Sequence, residues 1–149
     1  TCNMIHLTNW VINGLCERFP KLKVIWIESG LAWLPFMMQR LDHEYLMRQS
    51  DAPLLKKLPS EYMRDMYYTS QPMEQTNMKL LEATFEAIHA ETQLMFASDW
   101  PHTRSDRALS AGDIAEALHE LLPAETCDRI LSGNTLHLFR CKQVQQASA

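Results

Sequence analysis

Two acidic residues stand at the ends of apolar segments, where a carboxylate can bind a cation or transfer a proton. Glu28 closes the run KVIWIE at residues 23–28, and Asp99 closes the run LMFASD at residues 94–99. Ligands of parallel α/β proteins gather beyond the carboxyl ends of the strands, so both acids are candidates for acid–base or metal chemistry. The alternative for Glu28 is a loop acid that caps the helix after it.

Asp99 begins the sequence Asp-Trp-Pro-His, which ends at His102. Because Pro101 cannot donate a hydrogen bond to a sheet, the strand must stop before it, and His102 enters the loop above the sheet. The Asp-x-x-His spacing fits a metal or proton site, and it fits a hydrogen-bonded pair of loop side chains equally well. The sequence contains neither a G-x-S-x-G nucleophile motif nor a G-x-G-x-x-G phosphate loop.

Strands and helices alternate along the chain, and this order predicts an α/β fold with a parallel sheet. Strands are predicted at residues 23–28, where the strand is buried on both faces, at residues 64–69 and at residues 94–97. Helices are predicted at residues 3–18, 34–47, 78–88, 110–122 and 123–133. Asn3 is the predicted N-cap of the first helix, Gly133 the predicted end of the last, and Asn134 the cap of a final turn.

Composition favours a single domain and excludes several classes of function. The 149 residues are 46% apolar with 4 glycines, which favours a helix-rich domain over residues 1–142 and a frayed polar tail at 143–149. A closed eight-unit barrel needs about 250 residues, so 149 residues are too few to form one. The net charge is −4 without a basic stripe, no run of 18 apolar residues occurs, and the four cysteines are scattered. These features predict a cytoplasmic protein that binds neither nucleic acid nor membrane.

Four strings carry a family resemblance: RFPKLKV at residues 18–24, IESG at 27–30, FASDWPH at 96–102 and IL-x-GNT at 130–135. They resemble the C-terminal half of the amidohydrolase-related family, over roughly residues 5–140 and in the family's order. This group of metal-dependent hydrolases and decarboxylases contains aminocarboxymuconate-semialdehyde decarboxylase. The strings IESG and SDWPH are the more specific part of the match.

The resemblance implies a distorted TIM (β/α)8 barrel in which the three strands of this chain are barrel strands six, seven and eight. Asp99 matches the strand-eight aspartate that contacts the metal and helps to activate its water. Glu28 stands where the decarboxylase members carry a histidine, so this sequence departs from them there. His102 matches a loop histidine that faces the substrate or supports the site, and Trp33 and Trp100 are expected to be walls of the substrate pocket.

We therefore expect the C-terminal part of a metal-dependent hydrolase or carbon–carbon lyase that acts on a small, carboxylated or cyclic substrate with a divalent metal, zinc. The family's other metal ligands, a His-x-His pair on strand one and a histidine on strand five, would precede residue 1. The 149-residue chain alone is expected to be inactive, because a catalytic zinc needs three protein ligands. The alternative is a noncatalytic α/β module that forms a homo-oligomer or complements a separate N-terminal chain, since three parallel strands leave two open edges.

Overall fold

The computed structural model describes residues 2–99 and 111–140, in which helices surround a small sheet. The strands are β1 (Ile25–Trp26), β2 (Tyr67–Thr69) and β3 (Leu94–Met95). The α-helices in these residues are α1 (Cys2–Ile12), α2 (Leu15–Arg18), α3 (Leu34–Met47), α4 (Pro59–Met63), α5 (Met78–Ile88), α6 (Ala90–Gln93), α7 (Ala111–Leu121), α8 (Ala124–Asp128) and α9 (Asn134–Phe139). A 3-10 turn occupies Gln49–Asp51 and a π-helical turn occupies Arg129–Gly133. None of the described helices is long and apolar enough to cross a membrane.

The three strands form one parallel sheet in the order β1-β2-β3. Ile25 pairs with Tyr67, and Tyr68 pairs with Leu94. Parallel strands need a long crossover between them, and here helices supply it, α3 and α4 before β2 and α5 and α6 before β3. The predicted α/β fold with a parallel sheet is confirmed, and the carboxyl ends of all three strands lie at one edge.

Helix α3 begins and ends at the predicted residues, because its sequence carries its own start signal and an apolar face. Pro35 lies in the first turn, where the missing N–H has no helical partner to lose. The buried side chains of Leu34, Met37, Met38 and Leu41 recur at helical spacing along one face. This face packs against α4 and α5.

A glycine divides the helix that was predicted at residues 3–18. Gly14 has φ 65°, in the left-handed region, so α1 ends at Ile12 and α2 begins at Leu15. Asn3 lies within α1 instead of capping it, and its Nδ2 donates to Ser29 Oγ at 2.7 Å. The prediction of one helix is therefore wrong, because Gly14 interrupts it. The prediction of Asn3 as the N-cap is also wrong, because its side chain bonds a residue 26 positions along the chain.

The C-terminal helices continue through Gly133, where the sequence predicts a stop. Gly133 has φ −57°, a helical value, within the π-helical turn that joins α8 to α9. The Ile130 carbonyl in this turn accepts the Phe96 N–H at 2.9 Å, and Asn134 Nδ2 donates to the Leu94 carbonyl at 2.7 Å. These bonds occupy main-chain groups of the β3 segment on the side away from β2. The expectation of two open sheet edges is therefore wrong for β3.

One hydrophobic core lies between the sheet and the helices. Its largest fully buried side chains are Tyr68, Phe85, Leu7, Leu31, Leu34, Met63, Met66, Ile88, Leu94, Ile114, Leu118 and Ile130. Tyr68 donates its hydroxyl proton to the Met63 carbonyl at 2.8 Å. Burial raises the pKa of Tyr68 well above its usual value, so this hydroxyl stays protonated and keeps donating.

Strand β1 is shorter and more exposed than the predicted strand at residues 23–28. Ile25 and Trp26 form the strand and are half-buried, and Ile27 is 63% exposed. In the described residues β1 has a neighbouring strand on one side, which is β2. The prediction of a strand buried on both faces is wrong for β1, because the described residues leave Ile25 and Trp26 half-buried and Ile27 exposed.

Candidate active site

The two candidate acids lie at the carboxyl edge of the sheet in uncommon backbone conformations. Glu28 follows β1 with φ 52°, and Asp99 follows β3 with φ 57°. Few residues other than glycine adopt positive φ. The other described non-glycine residues that do so, His89 and Arg140, follow the last residues of α5 and α9, where this conformation is ordinary. Backbone strain away from a helix end is found preferentially at functional sites.

Strand β2 lies between the strands that precede Glu28 and Asp99, so the two acids share an edge without being on neighbouring strands. Adjacent strands are about 4.8 Å apart, which separates β1 from β3 by about 10 Å. Glu28 is exposed and Asp99 is partly exposed. The segments that carry the two acids therefore flank the end of β2.

Two hydroxyl groups at the end of β2 hold the segments on either side of it. Thr69 Oγ1 accepts the Glu28 N–H at 3.1 Å, and Ser70 Oγ accepts the Ala97 N–H at 3.0 Å. Thr69 is 8% exposed and Ser70 is fully buried. The sequence predicts a strand end near Thr69 but no role for either hydroxyl. The available signal was a polar pair directly after the aromatic residues of a predicted strand.

The loop after Glu28 is held by a carboxylate from the β2–α5 connection. Glu74 Oε2 accepts the N–H groups of Leu31 and Ala32 at 3.0 and 3.2 Å. Gly30 permits this approach, because it has φ 71° and a Cβ added to it would lie 2.6 Å from Glu74 Oε1. No sequence pattern pointed to Glu74, since its partner Leu31 lies 43 positions away.

Trp33 anchors the same loop through its indole. Its Nε1 donates to the carbonyls of Ser29 and Gly30 at 2.8 and 3.1 Å. The side chain is half-buried and packs against the hydrophobic core. Its predicted role as a wall of the substrate pocket stays a prediction. Trp100 and His102, the other predicted pocket residues, lie outside the described residues.

The sequence profile of the Amidohydrolase family matches residues 1–141. The chain belongs to the amidohydrolase family. This match confirms the family that the strings IESG and SDWPH indicate.

Solved structures share the amidohydrolase fold of this chain at low sequence identity. An amidohydrolase from Mycobacterium avium subsp. paratuberculosis K-10 gives a TM-score of 0.73 at 21% identity, over 91% of this chain and 32% of that one. A dihydroxybenzoic acid decarboxylase from Polaromonas sp. JS666, with bound manganese and the inhibitor 2-nitroresorcinol, gives a TM-score of 0.70 at 24% identity. The match covers 95% of this chain and 41% of that one. A 2,6-dihydroxybenzoate decarboxylase in complex with 2,6-dihydroxybenzoate gives a TM-score of 0.65 at 20% identity, over 92% of this chain and 40% of that one. The chain spans less than half of the length of these three proteins.

The described part of this amidohydrolase-family chain supplies too few ligands for a complete metal site. Within residues 2–99 and 111–140, no three His, Cys, Asp or Glu side chains are grouped so that they could hold an ion. A catalytic zinc site uses three protein ligands and one open position. Glu28 and Asp99 therefore fit a metal only as part of a larger ligand set.

A second polar cluster lies at the amino-terminal ends of the strands. Glu17 accepts the Tyr62 hydroxyl at 2.6 Å and pairs with Lys56 at 2.6 Å. Hydrogen bonds from Lys56 and Tyr62 lower the pKa of Glu17, and burial together with the bond to Glu17 raises the pKa of Tyr62. Glu17 and Tyr62 line a crevice of about 330 Å³. Because ligands of parallel α/β sheets bind beyond the carboxyl ends of the strands, at the other edge, we assign this cluster a structural role.

Proposed function

We propose that this chain is the C-terminal part of a metal-dependent amidohydrolase-family enzyme, with its strands as strands six to eight of a distorted TIM barrel. The observation that carries the proposal is the strained pair Glu28 and Asp99 at the carboxyl edge of a parallel sheet. Reacting groups of TIM barrels stand at this edge. The shares of the three neighbours that the chain covers, from 32% to 41%, are close to three strands in eight and support the assignment.

The proposed site divides its work among five residues. Asp99 is assigned the roles of metal ligand and proton carrier, and Glu28 that of an acid–base group or outer ligand. Trp33, Trp100 and His102 are assigned to the substrate pocket. The metal is a divalent cation; the notion of zinc rests on the family resemblance, and manganese is bound in the Polaromonas decarboxylase. The remaining ligands would come from barrel strands outside this chain.

The proposed substrate is a small carboxylated or cyclic molecule. Two of the three neighbours are dihydroxybenzoate decarboxylases, which supports a carboxylated ring and decarboxylation. Hydrolysis is the second candidate reaction, because Glu28 stands where the resemblance places a histidine of the decarboxylases. An ionised Glu28 repels a carboxylated substrate, whereas it can accept a proton from water.

A noncatalytic module that associates through its sheet is the second functional class. Ile27 is exposed after β1, and Phe19 and Leu22 are exposed before it. Apolar side chains beside an edge strand favour contact with another sheet. Further barrel strands or a second copy of the chain could cover this surface, and light scattering of the 149-residue chain separates a monomer from a homo-oligomer.

In the longer enzyme that the proposal implies, Asp99→Asn is expected to lower turnover by about 100-fold or more. Asparagine keeps the size of the side chain but carries neither the negative charge nor a transferable proton. Release of carbon dioxide from hydroxybenzoates and hydrolysis of cyclic amides, assayed separately, distinguish the two reactions. Asp128→Asn, at an exposed position in α8, is the matched control and should keep full turnover. Full turnover in Asp99→Asn contradicts the assigned site.

A further inference from the structure

The main-chain ladder of the sheet stops short of both candidate acids. The last paired residues are Trp26 with Tyr68 and Thr69 with Met95. Glu28 lies two positions beyond its paired strand and Asp99 lies four positions beyond. Main-chain pairing between strands therefore does not fix the conformation of either acid, and other groups must do so.

Thr69 takes over from the ladder on the β1 side. Its Oγ1 accepts the Glu28 N–H at 3.1 Å, and its own proton is within reach of the carbonyls of Trp26 and Gln71 at 3.5 and 3.4 Å. A side-chain oxygen thus replaces a main-chain acceptor. Because its N–H stays bonded, Glu28 can leave the extended conformation for φ 52° without burying an unsatisfied donor.

Ser70 has the same role on the β3 side. Its main-chain N–H donates to the Met95 carbonyl at 2.9 Å, and its Oγ accepts the Ala97 N–H at 3.0 Å. The Ser70 Oγ also approaches the Ala97 carbonyl at 3.4 Å. Since Ser70 is fully buried, these bonds form away from water, where a lost partner is costly. The β3 segment is thereby held in place two positions before Asp99.

We propose that Thr69 and Ser70 are positioning residues, whose hydroxyl groups set the backbone of the segments that carry Glu28 and Asp99. Thr69 is the last residue of the central strand and Ser70 follows it, so two consecutive residues reach the segments on both sides. The relevance of this for catalysis rests on the proposed function, whereas the positioning itself is a property of the described geometry. The two can be tested separately.

Amide hydrogen exchange of the 149-residue chain, followed residue by residue by NMR, tests the Thr69 contact. Thr69→Val keeps the branched shape but has no acceptor, so exchange of the Glu28 amide should rise about fivefold or more relative to the Tyr67 amide. The Tyr67 N–H donates to the Val24 carbonyl and serves as the internal reference for the β1–β2 pair. Thr69→Ser restores the hydroxyl and should return the ratio to within about twofold of the wild-type value.

Two further variants separate local positioning from general loss of stability. Ser70→Ala should accelerate hydrogen exchange of the Ala97 amide. It should leave the ratio of the Glu28 and Tyr67 exchange rates unchanged. Thr84→Val removes a threonine hydroxyl in α5 that donates to the Leu80 carbonyl at 2.7 Å; Thr84 is 1% exposed and Thr69 8%. It is the matched control, and it should leave that ratio unchanged as well.

An unchanged ratio in Thr69→Val overturns the proposal, and so does a Thr69→Ser variant that exchanges as fast as Thr69→Val. Turnover of the longer enzyme is the separate test. A shifted exchange ratio with lower turnover in Thr69→Val, rescued by Thr69→Ser, supports both proposals. A shifted ratio with full turnover supports the positioning and contradicts the catalytic assignment of Glu28.

Discussion

Replacing Phe85 by alanine is expected to lower the free energy of unfolding by about 3–5 kcal/mol. Phe85 lies in α5 with 2% of its surface exposed and belongs to the hydrophobic core. The substitution removes the ring from that core and leaves a cavity that the surrounding side chains refill only in part. Because domains of this size are stable by about 5–15 kcal/mol, the loss is a large fraction of the total. Urea unfolding followed by circular dichroism measures it.

Phe36→Ala is the matched control for this prediction. Phe36 lies in α3 with 58% of its surface exposed, and its replacement should change the free energy of unfolding by about 0.5 kcal/mol or less. Equal losses for the two variants would contradict the described core. They would indicate instead that another molecule covers Phe36 in solution.

Gly30→Ala is expected to lower the free energy of unfolding by about 2–4 kcal/mol, through two effects that add. A side chain at φ 71° is strained, and the new Cβ would lie 2.6 Å from Glu74 Oε1. The carboxylate must then move away from the N–H groups of Leu31 and Ala32, which loses two charge-assisted hydrogen bonds. Chemical unfolding measures the loss.

Gly133→Ala provides the control, since it makes the same substitution at a glycine with helical torsion angles. The nearest atoms to an added Cβ lie 3.7 Å away, which is ordinary contact distance. Alanine there should stabilise the chain by about 0.5–1 kcal/mol, because it favours the helix more than glycine does. Similar destabilisation in both variants would show that the strain at Gly30 and its contact with Glu74 are not the cause.

The parts of the fold that the sequence predicts well are those encoded locally. Helix α3 has a proline in its first turn and apolar residues at helical spacing, and its predicted bounds match the structure. The alternation of strands and helices predicts the parallel sheet. Both signals lie within one element or between consecutive elements, so no distant contact is needed to interpret them.

Glycines were the least predictable positions, because their conformation depends on distant neighbours. Gly14 has positive φ and would place a Cβ 2.5 Å from the Cβ of Leu54, whereas Gly133 is helical. The sequence predicts a helix stop at Gly133 and none at Gly14. The contacts of Ile130 and Asn134 with the β3 segment hold the helix together there, and they span 34 and 40 positions in the chain.

The candidate site divides in the same way. Glu28 directly follows an apolar segment and Asp99 follows one after Ser98, so the sequence identifies both as acids beyond strand ends. Thr69, Ser70 and Glu74 act on main-chain groups that lie 27 to 43 positions away. Such partners are visible only once the sheet has brought the segments together, because no local pattern encodes them.

The metal content of the longer enzyme tests the central claim most directly. Wild-type protein, Asp99→Asn and the control Asp128→Asn are purified in parallel, and zinc and manganese are measured by elemental analysis and by titration of the metal-free protein. The proposed site predicts about one divalent metal per chain in the wild type and the control, with affinity at least about tenfold weaker in Asp99→Asn. Unchanged metal content and affinity in Asp99→Asn would contradict the assignment of Asp99 as a ligand.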